Sequence, residues 1–259
     1  NDHFRSLPLT VPRLPEISMD DAYNIYMERF NNPGDFTFIF AGNIPDNFRL
    51  LVEIYIASIP GTELIESWAD REMYIEDEVE SIEVYAGIEP KSSVNILFRG
   101  DYIWTLENNT ALYALKELLD IRLRETVRED ASGTYGVSVS ASAIKSPRER
   151  YNISIGFSCD PKRVEELTEI VFSVIEEVRT NNANDSNIIK IKEGFFRSYE
   201  ESRKENSYWL GIMDAVYRYE IESSYILDKP SRNENLNAEI IREAAVKYLN
   251  TDNYFKAVL

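Results

Sequence analysis

The stretch LDIRLRETVREDASGTYGVSVSA, Leu119 to Ala141, constrains the fold more than any other part of the chain. Around and before it, Leu112, Leu115, Leu119, Leu123 and Val127 recur at spacings of three and four, the stripe of a helix lying on a core. Past Gly133 the period changes to two, and Val137, Val139 and Ala141 alternate with Ser138, Ser140 and Ser142. A helix with one apolar stripe and a strand with one apolar face, joined by a short loop, bury those faces against a common core. Arg128 ends the helix and Tyr135 opens the strand, seven residues apart at the mouth of the turn.

The other segments fit the same layer. The prolines at 8, 12 and 15 make residues 1–17 an irregular lead-in. SMDDAYNIYMERF is a helix capped by Ser18, with acids in its first turn. DFTFIFAGNI is expected as a strand and DNFRLLVEIYIASIPG as a helix. Residues 62–83 are acidic and aperiodic, a linker with short extended pieces. SIEVYAGIEPKSSVNILFRGD holds two strands, the second with Val94, Ile96 and Phe98 on one face. GTYGVSVSASAI and RYNISIGFSCD form a hairpin around KSPRE. Asp160 and Pro161 start a helix running to about Arg179, a helical stretch covers 185–219 with a break near Asn206, and a helix at Ala238 to Leu249 precedes a strand, YFKAVL. Hairpins outnumber crossovers, which predicts an α+β fold, a mostly antiparallel sheet with helices packed on one face. Residues 18–259 are expected as one domain.

Composition removes several function classes. The net charge of −17 argues against nucleic acid as a partner, because phosphate contacts need a positive surface. No apolar run reaches the roughly 20 residues of a membrane span. A soluble protein, cytoplasmic or periplasmic, is expected. Cys159 stands alone, excluding an internal disulfide, and reads as a small buried residue. His3 is the one histidine and lies in the lead-in, so the chain is not expected to hold a catalytic metal. The acids of EDEVE, Glu76 to Glu80, lack the spacing and glycine turn of a calcium loop. Trp104 and Trp209 read as core residues.

RETVREDASGTYGV closely resembles the C-terminal domain of the M16 zinc metallopeptidases, the insulinase/pitrilysin/PqqL-like group. ERFNNPGDFTFIFAGNI, LVEIYIASIPG and KENSYWLGIM are softer similarities, and NDHFRSLPLT resembles the stretch joining the last two domains of such chains. The resemblance implies one α+β layer of a clamshell that closes around an unfolded peptide. It implies that zinc, held by H-x-x-E-H in a different domain, belongs to the full-length enzyme and not to this chain. It also implies that Arg128 and Tyr135 bind substrate and stabilise the transition state from the opposite wall. The partners implied are peptide substrates and the other M16 domains, on the same chain or on a partner subunit. An alternative is a catalytically inactive M16-like subunit that binds peptides or supports an assembly.

The residue types suit those roles. A guanidinium holds a carbonyl or oxyanion with two donors in a fixed fork, and a phenol donates one hydrogen bond as charge develops. Both also have local explanations. Arg128 suits a helix C-terminus, and Tyr135 shares strand parity with Val137, Val139 and Ala141 rather than with the serines. Gly133 and Gly136 flank the tyrosine and can rotate or bulge the backbone there.

Overall fold

The structure, a computed structural model, describes residues 4–62, 67, 69, 78–88, 90–130 and 136–259, with the backbone alone at 128–130. In chain order these form α1 (Met19–Phe30), α2 (Phe48–Tyr55), β1 (Glu80–Glu83), β2 (Ser92–Asp101) and α3 (Leu106–Asp130). Next come β3 (Val137–Ile144), β4 (Arg150–Cys159), α4 (Val164–Thr180), α5 (Asp185–Ser202) and α6 (Asn206–Tyr219). The chain ends with α7 (Tyr225–Glu234), α8 (Ala238–Tyr248) and β5 (Tyr254–Val258). Two compact units result, one of Asn1–Ile75 with Lys204–Glu220, the other of Glu76–Arg203 with Ile221–Leu259.

The larger unit carries the sheet, in the order β1-β5-β2-β4-β3. β2 and β4 pair antiparallel over ten residues, from Ser92–Cys159 to Asp101–Arg150. β3 and β4 make the expected hairpin, in unbroken register from Val137–Phe157 to Ile144–Arg150. β5 runs antiparallel to β2, and the short β1 runs parallel to β5. The fold class is therefore the expected one, a mostly antiparallel sheet with one parallel pair.

Alternation decides which face is covered. Val94, Ile96 and Phe98 of β2 and Tyr151, Ile153, Ile155 and Phe157 of β4 point into the core. Against them lies α3, whose stripe of Leu112, Leu115, Leu119 and Leu123 is fully buried and whose Val127 is nearly so. Thr105 caps it, its Oγ1 accepting from Asn108 N at 3.0 Å. α4 adds Leu167, Val171 and Ile175, and α8 adds Ile241 and Ala245. Asn237 caps α8, its Oδ1 accepting from Ile240 N at 2.9 Å. Tyr102, Tyr151 and Tyr248 close one end of the core, with ring centroids 4.8–6.3 Å apart. Trp104 packs on the core, whereas Trp209, in the other unit, is 38% exposed. Cys159 is buried at the end of β4, and burial pushes its thiol pKa up against the opposing pull of Arg163.

The smaller unit combines α1, α2 and α6. Ser18 caps α1, its Oγ accepting from Asp21 N at 3.1 Å. Asn32 Oδ1 accepts from Gly34 N and from Thr62 N, drawing two distant strips of backbone together. Gly34 is required at that crossing, since a Cβ would lie 2.2 Å from the Thr62 carbonyl oxygen.

Several expectations differ from the structure. Among the described residues DFTFIFAGNI belongs to no ladder, and Phe36, Phe38 and Phe40 stay more than a third exposed. Alternation favours extended backbone, but a strand also needs a neighbour to bond. α2 ends at Tyr55, short of the expected Pro60. α7 was not expected, and it holds Pro230 inside its span. The break near Asn206 falls at 203–205, between α5 and α6.

Candidate functional site

The face of the sheet opposite the core is polar because the alternation that buries valines and isoleucines turns serines and asparagines outward. Asn95 Nδ2 donates to Ser154 Oγ at 2.8 Å, and Ser93 Oγ lies 3.3 Å from Ser158 Oγ. Ser138 Oγ donates to the Gly156 carbonyl at 3.4 Å, and Asn152 Nδ2 to Ser142 Oγ at 3.4 Å. These contacts run across β2, β4 and β3 as an uncharged ladder. Ser138 and Ser140 are exposed and Ser142 is half-buried, so the serine face lies open as its parity predicts. At one end the surface dips into a shallow concavity of about 550 Å³, lined by Ser93, Asn95, Gly136, Ser138, Gly156 and Ser158 with an apolar rim from β1 and β5. Gly156 has no side chain to fill that floor.

Toward the other end the face becomes charged. Arg99 lies over the Phe255 ring with its guanidinium carbon 6.0 Å from the centroid, and its Nη2 is 3.7 Å from Glu80 Oε2. That Nη2 is buried and makes no hydrogen bond. Arg148 pairs with Asp101 at 2.8 Å on the neighbouring rim. The signal for this half was present in the parity of β2, which puts Arg99 on the face of Asn95.

Both residues of the expected pair precede β3 in sequence. Arg128 lies in the last turn of α3, and its side chain is outside the described residues. Tyr135 is outside them entirely, so no distance joins the two. Its immediate neighbour Gly136 lines the concavity with φ at +134°, a backbone conformation that residues with a Cβ rarely adopt. Strand parity counted back from Val137 does not carry through such a residue, so the shared parity of Tyr135 with the valines does not fix its face.

The described residues offer no zinc centre. The sequence has one histidine, and among the described residues no three His, Cys, Asp or Glu side chains come together as ligands.

Comparison with known proteins decides the family. Residues 16–195 match the model of the peptidase M16 inactive domain. The chain belongs to the M16 peptidases. As an M16 domain it is 29% identical over 212 residues to a probable zinc protease PqqL of Haemophilus influenzae, covering 76% of this chain and 22% of that protein. It is 22% identical over 241 residues to the probable zinc protease PqqL of Escherichia coli, covering 92% and 26%. The chain thus spans about a quarter of the length of these relatives. Among solved structures, the periplasmic protease PqqL of Escherichia coli superposes with a TM-score of 0.81 at 22% identity over 98% of this chain and 28% of that one. The ferredoxin protease FusC, an E83A mutant in complex with Arabidopsis ferredoxin, does so with a TM-score of 0.79 at 18% identity, over 97% and 28%. At those identities the superpositions establish the fold. The matching family model is that of the M16 inactive domain, and the two relatives are named as probable zinc proteases. Among the described residues no helix is long and apolar enough to cross a membrane.

Proposed function

We propose that this chain is the C-terminal wall of the peptide chamber of an M16 zinc metallopeptidase, and that Arg128 and Tyr135 act on the substrate from that wall. The observation that carries this is the M16 match together with RETVREDASGTYGV, whose strand enters the sheet at the polar concavity beside Gly136. Residues 1–17 would be the lead-in between domains and 18–259 the domain itself. The zinc of the full-length protein would be held by another domain, there to polarise water for attack on a peptide bond. The residues of this chain bind and orient. The Arg128 fork would hold a substrate carbonyl from two donors, and the Tyr135 hydroxyl would donate to the oxygen as charge develops. Peptides, and the other M16 domains of the parent protein, are the partners. The Escherichia coli relative is a periplasmic protease, which favours the periplasm for the parent over the cytoplasm.

Arg128→Ala and Tyr135→Phe in the full-length parent test the pair. Loss of one such donor lowers kcat by about 10²–10³. kcat/KM is expected to fall that far in each variant with an unchanged melting temperature. Tyr135→Phe is the sharper arm, since it removes one hydroxyl and keeps the ring. Full turnover by that variant withdraws the role of Tyr135. The second reading, an inactive peptide-binding or assembly subunit, is favoured by the match to the family's inactive domain. It is adopted if the parent binds peptides and cleaves none.

A further inference from the structure

Between α3, α7 and α8 the larger unit holds a cavity of about 350 Å³. Four charged side chains line it, Glu107 from α3, Arg232 from α7, and Glu243 and Lys247 from α8. Leu236, which is buried, and Ile240, which is half-buried, supply an apolar wall. Arg232 donates from Nη2 to the Tyr225 carbonyl at 3.3 Å and lies over the Tyr225 ring, and Lys247 Nζ is 5.1 Å from the centre of the Tyr248 ring. Among the described residues no carboxylate pairs with either cation, and no cation pairs with Glu107 or Glu243. That is unusual in a chain of 45 acids and 28 bases, where a base has many carboxylates within reach. Arg122, Arg163 and Arg179 of the same unit each find a glutamate within 2.9 Å. Glu243 and Lys247 are the sharper case. They stand four residues apart on one helix with the glutamate first, the order that favours pairing, yet both border the cavity unpaired.

We propose that this cavity is a binding site for a small zwitterion, a dipeptide with both termini free. Arg232 and Lys247 take its carboxylate, Glu107 and Glu243 its ammonium, and Leu236 and Ile240 an aliphatic side chain. Charge selects the class. A simple anion would meet the two glutamates as like charges, and a simple cation would meet Arg232 and Lys247, whereas a ligand carrying both signs leaves neither set unmatched. Size selects the member. Ligand cavities run from about 300 to 1,000 Å³, and this one lies at the small end, too small for a long peptide. The Cβ atoms of residues one helical turn apart are about 5–6 Å from each other, and two extended residues span about 7 Å. The two ends of a dipeptide therefore reach Glu243 and Lys247 together, while a free amino acid carries both charges on one carbon and spans less. None of these six residues belongs to the polar face of the sheet, and the inference goes beyond the reading of the chain as a chamber wall without resting on Arg128 or Tyr135.

Calorimetric titration of the full-length parent holoprotein with L-alanyl-L-leucine tests this. Saturable binding is expected with a Kd below about 1 mM. Lys247→Met and Glu243→Gln are each expected to weaken it about tenfold or more, with unchanged melting temperatures because both side chains are exposed. The loss is expected to follow charge. Alanyl-leucinamide, which lacks the carboxylate, binds more weakly than the free dipeptide to the native protein and equally to Lys247→Met. N-acetyl-alanyl-leucine, which lacks the ammonium, does the same with Glu243→Gln. Lys247→Arg, which keeps the charge, is expected to bind as the native protein does. Absence of binding overturns the proposal, and so does binding that neither variant changes, which places the dipeptide elsewhere in the parent. Weakening by Lys247→Met alone means a site for anions and overturns the zwitterion. Loss of binding by Lys247→Arg as well assigns the effect to packing and overturns the site. Peptide cleavage is not read in any arm, so the outcome leaves the chamber-wall reading to its own test.

Discussion

Gly136 joins the loop that carries Tyr135 to the strand that carries the serines. Its φ of +134° suits a residue without a side chain, although nothing lies within 4 Å of where a Cβ would sit. The cost of replacement is therefore backbone strain and not a clash. Gly136→Ala is expected to destabilise the domain by about 1–3 kcal/mol, measured as a lower denaturant midpoint at constant slope. An unchanged midpoint would mean that the turn relaxes freely. Arg99 illustrates a different residue-scale effect. A cation 15% exposed, with one nitrogen lacking a hydrogen bond, is tolerated because Glu80 and the Phe255 ring compensate part of its desolvation.

At the scale of elements, α3 is the axis of the larger unit. Its leucines share one buried cluster with residues of β2, β4, α4 and α8, and it approaches β3, α8 and α4, so it cannot shift without opening the core. Leu119→Ala leaves a void in a fully buried position and is expected to cost about 2–5 kcal/mol by chemical denaturation. A loss below about 1 kcal/mol would show that the surrounding helices collapse into the space. The ladder on the outer face behaves oppositely. Its hydrogen bonds link exposed or half-buried side chains, so each adds little to stability, and the face is free to serve binding instead.

For the molecule as a whole, the two compact units and the family match differ in their boundaries. The M16 model begins at residue 16 and crosses from one unit into the other. We propose residues 18–259 as one domain, as the helix cap at Ser18 suggests. Limited proteolysis of the chain is then expected to trim the first ~17 residues and to cut within 62–83, leaving both pieces associated. Separation of the pieces on gel filtration after that cut would show that the first piece has no stable hold on Lys204–Glu220, and would count against one domain.

How much of this was legible in the sequence depends on the range of the interactions involved. Periods of two and of three to four are local, and they correctly marked α3, the β3–β4 hairpin, α4, α8 and β5 before any contact was known. They also separated the valine face of β3 from its serine face, and RETVREDASGTYGV carried the resemblance to the M16 family. α7 was hidden because Pro230 reads locally as a helix breaker, although the helix continues through it. Phe36 to Phe40 have the propensity of a strand, yet a ladder needs a second chain segment that composition does not name. The parallel pairing of β1 with β5 joins residues 175 positions apart, and it places the short, charged β1 at one edge of the sheet. Periodicity, the two faces of each element and the resemblance to the M16 family were legible locally, since each is written within a few neighbouring residues. Which strands are edges and which polar face lies open depends on what packs beside them, and that is fixed by long-range contacts.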